Sequence, residues 1–357
     1  MSIRISEDRT SRLLAVGTAV PESTYTQQEI LDLFGVTDQK TKKIFHHSHI
    51  RKRHLCLPDV GSDNNISEES HTELLAKHKK HSVELGHKAV VRALEKVRLV
   101  PRQVDYFAVL SSTGFLCPGL SALLARSLGM RADVSRVDIV GMGCSAGLNG
   151  MQSVVNFCSS NPGKTGLLLC VETCSAMYVM DGGMNSAVVN SLFGDGAAAA
   201  VVSTRPLHGS THEAPGMLGF DSYVIPDTMD SLRIDFNKGK YEFYLDKNVP
   251  YVLGMNVKKP VDSLLKRHGL KVRDIDHWVI HSGGRKVIDS IKYALNITEH
   301  AVRHTLYILS NYGNLSSGSF LFSYDRLLLE GSQRPGEKMF MMTMGPGATI
   351  ECCLGEF

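Results

Sequence analysis

The chain lacks any apolar run near the roughly 18 residues that a membrane-spanning helix needs, and its opening segment, Met1 to Arg12, is too polar for a secretory leader. It lacks a strong charge of either sign: a net charge of +3 over 357 residues leaves no global footprint for nucleic acid. Cysteine, at 8 residues, is too sparse for a disulfide scaffold. Metal-ligand spacing is missing too, since Cys170 and Cys174 stand four apart and Cys352 and Cys353 are adjacent. His46, His47 and His49 crowd one segment without partner cysteines and read as a solvated basic surface. These absences lead us to expect a cytoplasmic protein in a reducing setting, with no metal, no nucleic-acid partner and no membrane. What is present, 43% hydrophobic and 21% charged residues, is ordinary for a soluble chain able to bury a large core.

Taken in order, residues 13–16 predict a first strand closed by Gly17, and Thr26 with Glu29 has the form of a capping box at a helix start. A basic run from Lys40 to Arg53 reads as a solvated face or as a funnel for a phosphorylated ligand. Residues 58–70 predict an exposed polar loop. Residues 72–97 carry apolar side chains at helical spacing and predict a long amphipathic helix, with His71, His78, His81 and His87 facing solvent. Strands are expected at 106–110, 166–171, 191–193 and 197–202, and a helix at 120–128. Strands alternating with helices imply an α/β fold with a largely parallel sheet.

The stretch 136–157, R-V-D-I-V-G-M-G-C-S-A-G-L-N-G-M-Q-S-V-V-N-F, is the most informative. Residues 137–140 are mostly apolar and β-branched and predict a buried strand; residues 146–157 predict a helix. Cys144 then sits on the strand-to-helix turn, where Gly141, Gly143 and Gly147 permit a sharp bend and close approach of a ligand. A thiol at a helix N-terminus meets unpaired N–H groups and the positive end of the dipole, which favour the nucleophilic thiolate.

The second half repeats the grammar of the first. Asp276–His281 echoes Asp105–Leu110, Gly336–Met341 echoes Gly163–Leu168, and Gly345–Ile350 parallels Gly194–Ala199. Such ordered self-similarity indicates a duplicated α/β unit, with residues 1–204 carrying the cysteine and residues 205–357 supplying its partners. His281 ends a strand and runs into Ser282-Gly283-Gly284, whose amides are placed to meet a ligand, and Asn314 stands at a helix entry. An imidazolium beside Cys144 would hold the thiolate, and His281 with the Asn314 amide could donate to an oxygen that becomes negative.

With these residues in place the chain resembles the type III polyketide synthases of the thiolase superfamily. The resemblance lies in Cys144 of G-M-G-C-S-A-G, His281 of H-S-G-G, Asn314 of Y-G-N-L-S-S-G-S, Phe193 of L-F-G-D-G-A-A-A and the closing Gly345-Pro346-Gly347. Within that family, S-T-G-F-L-C-P-G-L-S-A-L-L, V-V-N-S-L-F-G-D-G, V-R-H-T and L-S-S-G-S-F-L-F-S-Y are similar to the bacterial 3,5-dihydroxyphenylacetyl-CoA synthases. The resemblance implies a five-layered αβαβα fold, a homodimer, and a Cys-His-Asn triad acting on coenzyme A thioesters, which are substrates, with no cofactor.

Carried onto this chain, it makes Cys144 the nucleophile that takes the acyl group, and His281 and Asn314 the groups that stabilise the enolate left when malonyl-CoA loses CO2. Four malonyl units, starter and extender alike, are expected to give 3,5-dihydroxyphenylacetyl-CoA through Claisen condensation, aldol closure and loss of water. Phe193 and Phe243 are expected to gate the cavity, and Ser112, Thr113 and Ser316 to meet substrate. Cys117 is expected to reach across the dimer into the partner's cavity. Lys40, Lys43, Gly283 and Gly284 are expected to contact coenzyme A, while Glu172, Asp195 and Pro346 are architectural. His47 replaces a lysine of the plant members, and Arg285-Lys286 adds two charges that suit CoA phosphates, an acidic chain or solvent. Three alternatives stand beside this: another starter or product, a 3-oxoacyl carrier protein synthase III-like enzyme, and a non-catalytic partner of a heterodimer. The motif around Asn314 weighs against the second and the complete triad against the third.

Overall fold

The computed structural model describes residues 10–58, 69–178, 183–207, 214–237 and 240–357, so most of the expected loop at 58–70 lies outside the described residues. The first half contains β1 (Arg12–Ala19), β2 (Thr24–Thr26), α1 (Gln27–Leu33), α2 (Gln39–His46), β3 (Lys52–His54), α3 (His71–Lys96), β4 (Tyr106–Leu110), α4 (Leu120–Ser127), β5 (Ser135–Ile139), α5 (Ala146–Ser160), β6 (Thr165–Glu172), α6 (Met184–Leu192) and β7 (Gly196–Ser203). The second contains β8 (Gly216–Val224), β9 (Leu232–Asn237), β10 (Lys240–Leu245), α7 (Val249–Asn256), α8 (Lys258–Arg267), β11 (His277–Ile280), α9 (Arg285–Leu295), α10 (Arg303–Tyr312), α11 (Ser319–Glu330), β12 (Lys338–Gly345) and β13 (Thr349–Glu356). Thr26 and Glu29 form the expected capping box, and Ser70 with Glu73 forms another at the start of α3.

Nine strands join in the order β11-β12-β13-β8-β1-β7-β6-β4-β5. The run β8-β13-β12-β11 repeats β1-β7-β6-β4 in order and in direction: the outer pair of each run is parallel and the others are antiparallel. The sheet is therefore mixed and not largely parallel. One reason is local, because β12 returns as β13 through a turn of only three residues, too short for a parallel crossover.

Side-chain alternation builds the layers. Leu13, Ala108, Leu168, Cys170 and Ala198 point to an inner core shared with Leu148, Met151 and Val154 of α5 and with Phe320, Tyr324 and Leu327 of α11. Phe107, Val109, Leu167, Leu169, Ala197 and Ala199 point the other way, against Leu85, Ala89 and Ala93 of α3 and Leu124 of α4. In the second half Val279, Met339, Met341 and Cys353 face the inner helices, and Trp278, Ile280, Phe340, Met342 and Leu354 face α7, α8 and α9. The result is five layers, αβαβα, with α5 and α11 in the middle.

Several local expectations need correction. β5 is an edge strand, not a buried one: its residues are half-buried or exposed, and Val140 just beyond it is 51% exposed. Residues 191 and 192 end α6, and Phe193 forms only an isolated bridge to Asn314; a short apolar run does not distinguish strand from helix by its pattern. His78 is fully buried, because positions 78, 82, 85 and 89 share the inward face of α3. Arg53, at the end of the basic run, is fully buried as well.

Candidate active site

After β5 the chain enters a single helical turn, Gly143–Ser145, that runs directly into α5. Gly143 has a φ of +53°, and a Cβ there would come within 2.5 Å of the Pro346 ring, so glycine lets this turn form against the β12–β13 connection. At Gly147 a Cβ would lie 2.3 Å from the Ser317 carbonyl oxygen. The two inner helical segments thus meet nearly backbone to backbone, which sets Cys144 of one half beside Ser316 of the other. Cys144 is 5% exposed, and its Sγ donates to Ser316 Oγ at 3.6 Å.

His281 follows β11, its N–H donating to the Met342 carbonyl at 2.8 Å and its carbonyl accepting from Gly283 at 2.9 Å. The ring is buried, and Nδ1 has no partner among the described residues. Asn314 follows α10. Its N–H donates to the Leu192 carbonyl at 2.8 Å and its carbonyl accepts from Gly194 at 3.0 Å, so the residue is tied on both sides to the segment that carries Phe193. Asn314 Oδ1 accepts from the Ser316 N–H at 2.8 Å. That bond fixes the amide orientation and leaves the NH2 group to donate to Cys144, where it favours the thiolate.

Burial dominates the electrostatics. It pushes the Cys144 thiol up to about 12; hydrogen bonds from Ser316 and Asn314 oppose the shift and the Glu172 charge adds to it. Burial alone pushes His281 down to about 3. Burial thus opposes the charged pair, thiolate and imidazolium, that the sequence suggested, while the donors from Ser316 and Asn314 favour the thiolate.

A cavity of about 720 Å³ opens onto these groups, within the range of small-molecule sites. Cys144, His281, Asn314, Phe193, Phe243, Lys43, Gly283 and Gly284 all line it. Lys43, Lys247 and Lys286 are exposed whereas the three central residues are buried, so the cations mark the solvent end and Cys144 the inner end. Phe193 and Phe243, which share an apolar cluster with Cys144, meet edge to face, ring centroids 5.2 Å apart at 62°. His47 and Arg285 also line the cavity, while Lys40 does not. Lys247, Leu253 and Met344 were missed by sequence reasoning, since nothing in their local pattern signals a cavity wall.

The remaining expected substrate residues do not line the cavity. Ser112 accepts from the Gly143 N–H at 2.9 Å and donates its own N–H to Glu172 at 2.9 Å. Thr113 accepts from the Thr173 N–H at 3.0 Å. Glu172 also accepts from Ser317 at 2.6 Å and Ser316 at 3.1 Å, forming a buried polar floor beneath Cys144; burial raises its pKa against these donors. Cys117 is exposed on a loop beside β5.

Two repeated halves whose helices α5 and α11 share one inner layer, a buried Cys, His and Asn lining one cavity, and cations at its open end define a condensing enzyme of the thiolase-like class. Residues 2–206 match the N-terminal domain of chalcone and stilbene synthases and residues 220–355 the C-terminal domain, so the chain belongs to this family of type III polyketide synthases, acyltransferases acting on CoA thioesters. It is 49% identical over 350 residues to 3,5-dihydroxyphenylacetyl-CoA synthase from Streptomyces toyocaensis, covering 97% of this chain and 90% of that one. To the synthase of the same name from Amycolatopsis balhimycina it is 46% identical over 346 residues, 96% and 92% of the two chains. Among solved structures, 1,3,6,8-tetrahydroxynaphthalene synthase from Streptomyces coelicolor A3(2) superposes with a TM-score of 0.89 at 28% identity, covering 97% of this chain and 99% of that one. Membership in this family sets aside the carrier protein synthase alternative.

Proposed function

We propose that the chain condenses malonyl-CoA, as starter and extender, into 3,5-dihydroxyphenylacetyl-CoA. The observation that carries the reading is the meeting of Cys144, His281 and Asn314, from both halves, at the buried end of a cavity whose exposed end is cationic. The two relatives at 49% and 46% identity support the product.

In this reading Cys144 passes its proton to the His281 imidazole and attacks the thioester carbonyl of the first unit; the carbon–sulfur bond to CoA breaks, the departing CoA thiolate takes the proton from His281, and the acyl group rests on Sγ. A second malonyl-CoA then loses CO2. The electron pair of the broken carbon–carbon bond moves to the thioester oxygen, where the Asn314 NH2 and a ring N–H of His281 donate to it. A preorganised donor of this kind is worth about 3 kcal/mol in a water-poor site. The enolate carbon attacks the acyl carbonyl, the carbon–carbon bond forms, and the Cys144 thiolate leaves, ready for the lengthened chain. Lys43, Lys286 and Lys247 suit the phosphates of coenzyme A at the open end, and no cofactor is called for.

We also place the enzyme in the cytoplasm as a homodimer. No described helix is long and apolar enough to cross a membrane. Among the described residues β5 has one unpaired edge, and this edge, with Val140 and Phe115 exposed, suits pairing with a second copy; Cys117, on the loop beside it, does not line its own cavity.

The test is incubation with malonyl-CoA alone, followed by mass analysis of acyl-CoA and free-acid products, with Cys144→Ala alongside. A dihydroxyphenylacetyl thioester or acid in the wild type and none in the variant is the expected outcome. Acetyl-CoA without longer products would refute malonyl-CoA as the starter.

A further inference from the structure

Arg53 belongs by sequence to an exposed basic run, yet its guanidinium is fully buried and bound on several sides. Its Nη1 donates to the Asn190 carbonyl at 2.5 Å, the Phe193 carbonyl at 2.7 Å and Tyr178 Oη at 2.7 Å, and Nη2 donates to Gln27 Oε1 at 2.7 Å. Tyr178 Oη donates in turn to the Phe193 carbonyl at 2.5 Å. The Asn190 and Phe193 carbonyls lie at the C-terminal end of α6, where carbonyls lack partners within the helix and the dipole is negative. A cation buried there caps the helix and fixes the backbone that bears the gate phenylalanine.

The same side chain reaches the other half of the molecule. A Cβ at Gly313 would lie 2.9 Å from Arg53 Cδ, so the arginine stem packs directly against the residue before Asn314. Asn314 is itself bonded to Leu192 and Gly194, on either side of Phe193. Arg53 thus grips both segments of the short bridge that joins the gate to the amide donor.

We propose that Arg53 is a positioning residue for condensation: by clamping the Asn190 and Phe193 carbonyls beneath Gly313, it sets the place of the Asn314 amide and of Phe193 relative to Cys144. The inference rests on the reading of Asn314 as an enolate donor. Arg53 touches no substrate in this scheme. Lysine at this position keeps the charge but not the fork, which needs donors aimed at separate acceptors.

The experiment compares wild type, Arg53→Lys and Tyr178→Phe with three readouts: amide hydrogen exchange, alkylation of Cys144 by iodoacetamide, and steady-state decarboxylation of malonyl-CoA to acetyl-CoA. Exchange in the segments containing Gly194 and Asn314 is expected to quicken at least tenfold in Arg53→Lys, with β6 and α5 keeping their protection. The kcat of decarboxylation is expected to fall at least tenfold with KM within twofold of wild type, and alkylation to slow as the Asn314 donor to Cys144 is displaced; Tyr178→Phe gives the same pattern, weaker. Should Arg53→Lys not fold, Tyr178→Phe decides the matter on the same readouts. The proposal is overturned if kcat is unchanged in both variants, or if it falls only in proportion to folded protein while exchange near Gly194 and Asn314 stays at the wild-type rate. Absence of decarboxylation by the wild type would instead sink the reading of Asn314, and the exchange data would still test the clamp.

Discussion

Glu351→Gln should make the protein more stable at pH 8. Glu351 lies within β13, opposite Thr343 on one side and Ser222 on the other. Cys353, two residues on, belongs to the inner core while Ile350 and Cys352 face outward, so Glu351 points into the inner layer, where it is 4% exposed. Burial pushes its carboxyl up from 4.5 to about 7; a 2.9 Å hydrogen bond from Ser222 opposes the shift and the neighbouring Asp221 adds to it. Between those two values the folded chain holds a proton that the unfolded chain has released. Its stabilising contribution is therefore whole below pH 4.5 and is lost as the pH rises through about 7. At about 1.36 kcal/mol per pKa unit the shift is worth roughly 3 kcal/mol, reduced to about 2 kcal/mol by residual solvent screening. Glutamine keeps the shape and the acceptor for Ser222 but does not ionise. Urea unfolding followed by circular dichroism from pH 5 to pH 8 should show the two proteins converging at the acid end and the variant ahead by about 2 kcal/mol at the alkaline end. A difference that does not vary with pH, or a variant weaker than wild type at pH 8, refutes the reasoning.

Three further outcomes are expected. Asn314→Ala should lower the kcat for malonyl-CoA decarboxylation by about 10²–10³ in steady-state assays, the loss of one preorganised donor; a change under threefold would contradict its role. Lys43→Glu combined with Lys286→Glu should raise KM for malonyl-CoA with little effect on kcat, and the gap from wild type should narrow as salt is added. Equal KM values at low salt would show that these exposed cations do not meet the phosphates. Gly147→Ala, which sets a methyl group against the Ser317 carbonyl at 2.3 Å, should destabilise the fold by about 3 kcal/mol in thermal or urea unfolding. An unchanged melting temperature would mean that the inner helices separate freely.

Much of the fold was legible in the chain because it rests on local pattern. Continuous apolar runs mark β1, β4, β6 and β7, helical spacing marks α3 and α4, Thr26 and Glu29 announce a helix start, and glycines around Cys144 announce its turn. The repeat of one half in the other was readable for the same reason. The residues lining the candidate site were partly legible: Cys144, His281, Asn314, Phe193, Phe243 and Lys43 share one cavity, while Lys40, Ser112, Thr113, Cys117 and Ser316 lie outside its lining.

The sequence by itself determined many of the strands and helices of the first half, the duplicated order of the elements, and the turn that presents Cys144, because each depends on residues within a few positions of one another. Only the tertiary structure decided what is buried and how buried groups ionise. It turned Arg53 and His78 inward, left β5 at an edge, and buried Cys144 and His281 so that desolvation opposes their charged forms. Desolvation is set by atoms that distant parts of the chain bring together, and no local pattern of residues carries that information.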